Sequence, residues 1–501
     1  MQSRLSQFRP EVAFSRSGLR TFVVSALRFA VLLAVSVCLL QGGGIASAVA
    51  QPTVPAPVAD PLDAYSFSLG LTGAKIGEDW FVRSTLGSSL RFEGLTLARQ
   101  GNLFEEDQSH DLRLLVQVPL TFRIVDRDPE TGEVLRTEEW DEPSEYMRVL
   151  RVIEYGRPYD GIYFRGGELA NVRMGHRTIV DNYLNTLDVD HLQWGLHHNL
   201  NTIYGGYEVL LDNVPAPELM GTRVYVRPWS FIDRNAWMRR LAVGMSLFGD
   251  IAAPTALAIR EDGRYAQNPD GNFIIERDQA TGILGFDVEL AAVKSELFSM
   301  TPYTDANVHL GRGAGWHLGS FFALQPLDAL VVDARSEFRI LGRNYLPTYF
   351  NTLYEVERVS YRAPGESPTR IPKLQWLRTG QEGELREGYL TEIGVNFGQV
   401  LRLAGAWENY RGPDNSTAWL YASVPALRVV QFAAYFANTR FQGARGLFDM
   451  QNALAMVEAR VMVTKFMYVQ GQLNRRWRLD GDGEYRPVDD FHFGVGASFG
   501  F

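Results

Sequence analysis

The sequence is short of features on which many large proteins depend. Cysteine occurs once, at Cys38, and lysine occurs at only four positions, Lys75, Lys294, Lys373 and Lys465. A single thiol excludes intramolecular disulfide bridges and zinc sites built from several thiolates. After residue 40 there is also no run of about 20 apolar residues, which is the length a membrane-spanning helix requires.

The basic residues are therefore nearly all arginine, and acidic residues outnumber them. Lys and Arg together number 49, Asp and Glu number 58, and the formal net charge is −9. No basic tract occurs anywhere along the chain. An acidic protein without such a tract lacks the electrostatic footprint of a nucleic-acid binder, so no nucleic-acid partner is expected.

The first fifty residues have the pattern of a secretory signal peptide. Arginines at 4, 9, 16 and 20 form a basic start, an apolar stretch follows at 21–40, and Ala-Val-Ala at 48–50 fits a cleavage site. A membrane-spanning helix is the alternative, but Arg28 leaves too short an apolar run behind it. We expect residues 1–50 to be a cleaved signal peptide, followed by a proline-rich segment at 51–63.

From residue 64 to residue 501, apolar residues recur at every second position. Clear examples are the stretches 65–71, 112–124, 389–397 and 453–463. Period-two alternation is typical of a β-strand with two different faces, and about ten residues is the length of a tilted transmembrane strand. The pattern predicts an all-β fold, a single antiparallel transmembrane β-barrel of roughly 18–22 strands, an even number.

The connections between these stretches also alternate, in length. Near the C-terminus, polar connections at 478–488, 438–452 and 411–417 are separated by minimal ones at 464–465, 425–426 and 398–399. Outer-membrane barrels have long loops outside the cell and short turns on the periplasmic side. We therefore expect the longest insertions, 126–145, 170–190 and 251–282, to lie outside the cell.

The last residues, 491–501, alternate without a break. Odd positions are Phe, Val or Ala, and even positions are His, Gly or Ser. With this strand, the leader and the general alternation, the chain resembles the bacterial outer-membrane β-barrel (porin-like) proteins, whose last strand commonly ends in an aromatic residue recognised by the insertion machinery. The resemblance implies a location in the outer membrane and an assembly signal at Phe499 and Phe501. It also implies contacts with the barrel-assembly machinery, outer-membrane lipid and lipopolysaccharide.

The phase opposite the apolar one is expected to face the lumen. A charge on the lipid face costs about 2–4 kcal/mol near the membrane midplane, so charged residues on strands should point inward. By the same reasoning, Glu355 and Glu357 are assigned to the inward face of a strand through 352–359. The residues predicted to line the lumen are Arg113, Arg123, Arg223, Arg227, Asp287, Glu289, Asp333, Arg335, Glu337, Arg339, Arg402, Glu458 and Arg460.

These charges allow two hypotheses about the lumen. In the first, a water-filled passage has a wall of mixed charge, as large strand numbers favour. In the second, a salt-bridge lattice fills the interior and nothing passes. The first predicts a passive pore for small solutes or a polymer; the second predicts a structural or surface-binding barrel whose outer loops carry the function.

Enzymatic activity is a third hypothesis, because some outer-membrane barrels are hydrolases. The chain has eight histidines but no Gly-x-Ser-x-Gly nucleophile elbow. The acidic stretch at 480–484 lacks the full ligand spacing of a calcium loop. We therefore expect no catalytic residues, no metal site and no cofactor.

Overall fold

The structure is a computed structural model. It describes residues 65–500 with the exception of 77–78, 105, 126–133, 136–139, 141–145, 148, 186–192, 234–236, 268–272, 363–369, 380–384, 399, 413–414, 425–428, 449–452 and 480–484. The expected signal peptide, the proline-rich segment and Phe501 lie outside the described residues.

The polypeptide forms a closed antiparallel barrel of 20 strands. The strands are β1 Tyr65–Ile76, β2 Asp79–Ala98, β3 Gln108–Val125, β4 Leu150–Tyr155, β5 Ile162–Gly167, β6 Gly195–Thr202, β7 Gly205–Leu211, β8 Leu219–Val226, β9 Leu241–Leu257, β10 Ile275–Leu290, β11 Phe298–His309, β12 Ala314–Leu327, β13 Leu330–Leu341, β14 Arg386–Phe397, β15 Leu401–Tyr410, β16 Ser416–Val424, β17 Val430–Phe441, β18 Ala453–Met462, β19 Met467–Leu479 and β20 Tyr485–Gly500. A two-residue strand, Val293–Lys294, extends the pairing of β11.

Each strand pairs with its neighbours in sequence, and the first pairs with the last. The register between β1 and β20 runs from Ser66 opposite Gly500 to Gly73 opposite Phe493. Closure leaves the sheet without an unpaired edge, which is what a strand-built structure needs in lipid. The predicted fold class and strand number are confirmed.

Side chains alternate between a buried inner face and an exposed outer face. On β13, Arg335, Glu337 and Arg339 are buried, whereas Phe338 between them is 44% exposed. On β10, Asp287 is buried between the exposed Phe286 and Val288. The outward row is therefore an apolar belt, because the period-two pattern of the sequence puts large apolar residues on that face.

The two rims differ as the loop pattern predicts. The rim at which β1 begins and β20 ends has short connections at 203–204, 328–329, 398–400 and 463–466, and longer ones at 99–107 and 227–240. The opposite rim has the long connections 126–149, 168–194, 258–274 and 342–385. We refer to them as the terminal rim and the outer rim.

Two expectations about these connections are wrong in detail. The insertion at 251–282 is shorter than expected, because β9 continues to Leu257 and β10 begins at Ile275. The strand expected through 352–359 does not form: Tyr354–Glu357 is a helical turn, and Lys373–Thr379 and Gly443–Gly446 are further short helices. Tyr354 of this stretch packs into an apolar core formed by residues distant in sequence, so the local alternation did not mark a strand. Within the described residues, no helix is long and apolar enough to cross a membrane.

The outward row of β20 generates a prediction about assembly. Phe499 is 43% exposed, and its ring lies 5.6 Å from that of Phe466. Phe499→Asp should lower the amount of folded barrel in cells, because a carboxylate replaces an apolar group on the outer face. Heat-modifiable migration on gels measures the folded fraction.

Ser498→Asp is the matched control, because Ser498 lies on the inner phase opposite Ser68. It should fold normally. Equal folded fractions for the two variants would contradict the prediction.

Candidate functional site

Two connections of the outer rim fold into the barrel. The first inward segment comprises 168–185, and every residue from Val172 to Asn185 is buried. The second inward segment comprises 342–362 and 370–379. The two are joined by a short parallel pairing of Val180–Asp181 with Phe350–Asn351. The insertion at 170–190 was expected outside the cell; its described part, to Asn185, instead lies against the inner wall.

An apolar core lies between the segments and the wall. It combines residues of both segments with inward side chains of β7 to β10. Apolar packing of this kind excludes water from the space between the segments and the wall, and it holds the segments in one arrangement. The buried members are Leu169, Val172, Met174, Ile179, Val180, Tyr183, Leu210, Leu219, Phe248, Ile283, Tyr349, Phe350, Tyr354, Tyr361, Trp376 and Leu377.

An ion-pair lattice joins the first segment to β13 and β14. The Arg335 guanidinium lies 2.7 Å from the Glu337 carboxylate and 3.3 Å from that of Asp181 in the first segment. Arg177 of the same segment pairs with Asp181 at 2.9 Å and with Glu392 on β14. Ion pairs therefore connect the segment to the wall, through Arg335 with Asp181 and Arg177 with Glu392.

The same lattice continues along β13 toward the outer rim. Arg339 pairs with Glu337 and, at 3.0 Å, with Glu408 on β15. His317 on β12 lies 2.9 Å from the same Glu337 carboxylate. Glu337 is therefore a shared acceptor for three basic side chains, none of which has exposed surface.

A second cluster lies on β7 to β11. Arg223 donates to both oxygens of Asp287, at 2.9 and 2.7 Å, and to Glu208 at 2.9 Å. His176 of the first segment lies 2.9 Å from Glu289, and its ring stacks on Tyr303 at 4.3 Å. The histidine thus places the tip of the segment over a patch of three wall carboxylates, Asp287, Glu289 and Asp305.

The electrostatics of His176 follow from this position. Burial lowers its pKa, but the carboxylates of Asp305, Glu289 and Asp287 raise it more, to about 9. The imidazole is therefore protonated at neutral pH and contributes a charge to the contact between segment and wall.

The second inward segment contacts widely separated parts of the wall. Arg358 lies 3.2 Å from Asp250 on β9, and the Tyr354 hydroxyl donates to the same carboxylate at 2.6 Å. Glu357 lies 2.6 Å from Arg440 on β17 and 2.7 Å from Lys373 within the segment. The segment therefore spans the interior between β9 and β17.

The Glu357 pair remains ionised although it is buried. Burial raises the pKa of Glu357, but Lys373 and Arg440 lower it more, to about 2. Burial lowers the pKa of Lys373 despite the adjacent carboxylate. Glu355 is also in this segment, and accepts a hydrogen bond of 2.7 Å from Tyr183 of the first segment.

The other side of the interior is less densely filled. Inward residues of β1, such as Ser68, Gly70 and Thr72, are partly exposed, and Arg113 on β3 is exposed. On β13, by contrast, every inward residue from Asp333 to Leu341 is buried. The first inward segment thus occupies the side formed by β5 to β14, and the second reaches as far as β17. The side formed by β18, β19 and β1 to β3 is less filled.

The residues predicted to line the lumen divide between these two sides. Arg223, Asp287, Asp333, Arg335, Glu337 and Arg339 are buried in the filled side, where Glu289 also binds His176. Arg227 lies at the terminal rim and donates to Thr202 and Asn201. The less filled side and its border contain the remaining five residues, Arg113, Arg123, Arg402, Glu458 and Arg460. The guanidinium of Arg460 lies 4.5 Å from the centre of the Tyr468 ring.

Sequence reasoning missed the residues that the segments contribute. Arg173, His176, Arg177, Asp181 and Lys373 were not assigned to the interior, whereas Glu357 was assigned to it, but on a strand that does not form. One available signal was the combination of charged residues and turn-forming residues at 171–182. Asn171, Gly175, Arg177 and Asn182 all have positive φ, which marks a chain that changes direction repeatedly and not a strand. Within the described residues, no group of three or more potential ligands could hold a metal ion.

The lattice generates a prediction about folding. Replacing Arg335 and Arg339 with Glu should abolish folded barrel, because breaking a buried ion pair costs about 3–5 kcal/mol and here several are broken together. Heat-modifiable migration and protease resistance measure the result. Arg260→Glu with Arg264→Glu, at the outer rim where Arg264 is exposed, is the matched control and should fold.

His176 generates a prediction about pH. Its pKa is raised above the ordinary value of 6.5, so its stabilising contribution is complete below about pH 6.5 and is lost as pH rises through about 9. The urea midpoint should therefore fall between pH 7 and pH 10 in the parent protein. His176→Gln should be less stable at pH 7 and show a smaller fall. Parallel pH profiles in both proteins would show that this histidine contributes no charge.

Comparisons with known proteins found similar solved structures, but no matching family or curated sequence. No protein-family model and no curated protein sequence matches the chain. Pseudomonas aeruginosa OpdQ is similar over 87% of this chain and 97% of its own, at 7% identity and a TM-score of 0.32. Acinetobacter baumannii OccAB4 is 8% identical, covers 87% of this chain and 97% of its own, and has a TM-score of 0.30. A mutant of the P. aeruginosa ferric enterobactin receptor PfeA is 10% identical, covers 87% of this chain and 81% of its own, and has a TM-score of 0.31. Scores this low decide nothing, so the assignment to the β-barrel class rests on the strand pairing.

Proposed function

We propose that this chain is a channel of the bacterial outer membrane that passes small polar solutes passively. The passage is the side of the interior bounded by β18 to β20 and β1 to β3. The observation that carries the proposal is the uneven filling of the barrel: inward side chains are buried along β13 and partly exposed along β1.

Small inward residues on β1 and β2 favour a water-filled space on this side. At Gly70, a side chain would meet only the Cβ of Thr85, at 3.8 Å. On the filled side, a side chain at Gly315 would lie 2.2 Å from the Tyr345 ring. Space is therefore available beside β1 and absent beside β12.

The charges along the passage favour hydrated solutes. Among the described inward residues of β2, β3 and β18, the acidic Asp111 and Glu458 occur with the basic Arg83, Arg91, Arg113, Arg123 and Arg460. Asp111 binds Arg91 at 2.8 Å. Such a wall interacts with ions and polar groups.

Three features support the location. The leader at 1–50 has the pattern of an export signal. The outward face of the closed barrel is apolar, and the two rims have unequal connections. The proposal includes lipid, lipopolysaccharide and the barrel-assembly machinery as partners, and it includes no catalytic step.

Conductance of the refolded protein in planar bilayers tests the passage. Gly70→Trp places a large ring in the proposed passage and should lower single-channel conductance by at least half. Gly73→Trp is the matched control, because Gly73 lies on the outward phase of the same strand and a side chain there would meet nothing within 4 Å. It should conduct as the parent does. Equal conductance of the two variants would move the passage away from β1.

A second candidate function is a barrel with a closed lumen that binds ligand at its outer rim. One observation favours it: a cavity of about 340 Å³ lies between β9, β10 and the helix Lys373–Thr379. Its charged lining includes Glu276, Arg277, Asp278 and Arg378. Absence of conductance after confirmed insertion would support this candidate and contradict the channel.

A further inference from the structure

The connection between β8 and β9 exposes large apolar side chains at the terminal rim. Phe231 is 67% exposed, Ile232 79% and Trp237 63%, and Trp229 is 38% exposed. Single exposed apolar residues are ordinary, but four within one short connection form a patch that indicates contact with a partner or a membrane. We call the described residues 228–233 and 237–240 the rim segment.

The rim segment is held by specific contacts. It consists of two short 3-10 helices, Pro228–Phe231 and Trp237–Arg240. The Ser230 hydroxyl donates to the Arg239 carbonyl, which joins the helices, and the Phe231 ring lies 4.8 Å from the Tyr204 ring in a neighbouring turn. Its exposed apolar groups are therefore presented by a defined structure.

The patch is continuous with the outer face of the wall. Val224 and Val226 directly precede the segment, Val243 and Met245 directly follow it, and all four are between 38% and 52% exposed on the outward phase. The apolar surface of two adjacent strands thus runs without interruption into the segment. Other connections of this rim, such as 203–204 and 328–329, are too short to extend the surface in this way.

The charges of the segment suit one occupant. The described charged residues are the exposed Asp233 and two arginines, Arg239 and Arg240, which end the second helix beside Trp237. Tryptophan and other aromatic rings are favoured at the boundary between lipid headgroups and acyl chains, and arginine beside them binds headgroup phosphate. A water-soluble partner would not require continuity with the lipid-facing wall.

We propose that the rim segment lies in the headgroup boundary of the membrane leaflet at the terminal rim, and that Arg239 and Arg240 bind anionic phospholipid there. The inference rests on the membrane location in the proposed function, but not on conduction. It assigns to this connection the role of an anchor that fixes the height and rotation of this side of the barrel in the membrane.

Spin labelling tests the position of the segment. The full chain with Cys38→Ser would carry a nitroxide at Ile232→Cys, in vesicles of phosphatidylethanolamine and phosphatidylglycerol. Collisions with oxygen should exceed those with a water-soluble nickel chelate, as expected at the membrane boundary. Met245→Cys on the wall is the control for lipid, and Glu261→Cys, exposed at the outer rim, is the control for water.

The controls separate the ways in which the inference can fail. A label at 232 that behaves like the one at 261, while the label at 245 behaves as lipid-exposed, would overturn the anchor and leave the barrel inserted. Dipolar broadening at 232 would show that a second copy covers the patch, which also overturns a lipid occupant. A label at 245 in water would contradict the membrane location itself.

The anionic preference has its own test. Adding phosphatidylglycerol to phosphatidylethanolamine vesicles should raise the temperature at which the parent barrel unfolds. Arg239→Gln with Arg240→Gln should lose at least half of this rise, whereas Arg260→Gln with Arg264→Gln at the outer rim should keep it. An unchanged rise in the first double variant would overturn phosphate binding by these arginines.

Discussion

The shared carboxylate of Glu337 is the contact on which the arrangement of the interior depends. It accepts from Arg335, Arg339 and His317, and Arg335 in turn reaches Asp181 of the first inward segment. An ion taken out of water costs several kcal/mol unless close partners replace the lost hydration. Because the partners come from the wall and from the segment, these ion pairs hold the segment against β13 and β14.

This constraint explains why the barrel is filled on one side only. The basic groups of the first segment, Arg173, His176 and Arg177, face carboxylates on β10, β11 and β14. The inward residues of β1 are Ser, Gly and Thr at the matching positions, and they offer no such acceptors. The segment therefore packs against the acidic strands. The passage that we propose lies beside β1, which offers the segment no carboxylate.

The wall could be predicted from the sequence, and the filling could not. In each strand, apolar residues of the outward face alternate with residues of the inward face, as in 330–341. The outward phase and the strand number therefore follow from the local pattern. The inward segments show no such alternation. Leu169, Val180 and Phe350 are buried against parts of the chain that are distant in sequence, and no fixed period relates them.

The error at 352–359 has the same origin. Glu355 and Glu357 alternate with apolar residues over a short stretch, which imitates a strand. In the structure they belong to one helical turn and bind Tyr183 and Lys373. Local alternation is informative only when it continues for the length of a membrane-spanning strand, and here it does not.

The scarcity of lysine follows from the same contacts. Arg223 binds Asp287 through two nitrogens and Glu208 through a third, a geometry that a planar guanidinium provides and a single ammonium does not. Lys373 is buried where a point charge is sufficient: its Nζ donates to Glu357 and to the Tyr349 carbonyl. An interior built from shared carboxylates therefore selects arginine wherever one cation must join two or more carboxylates.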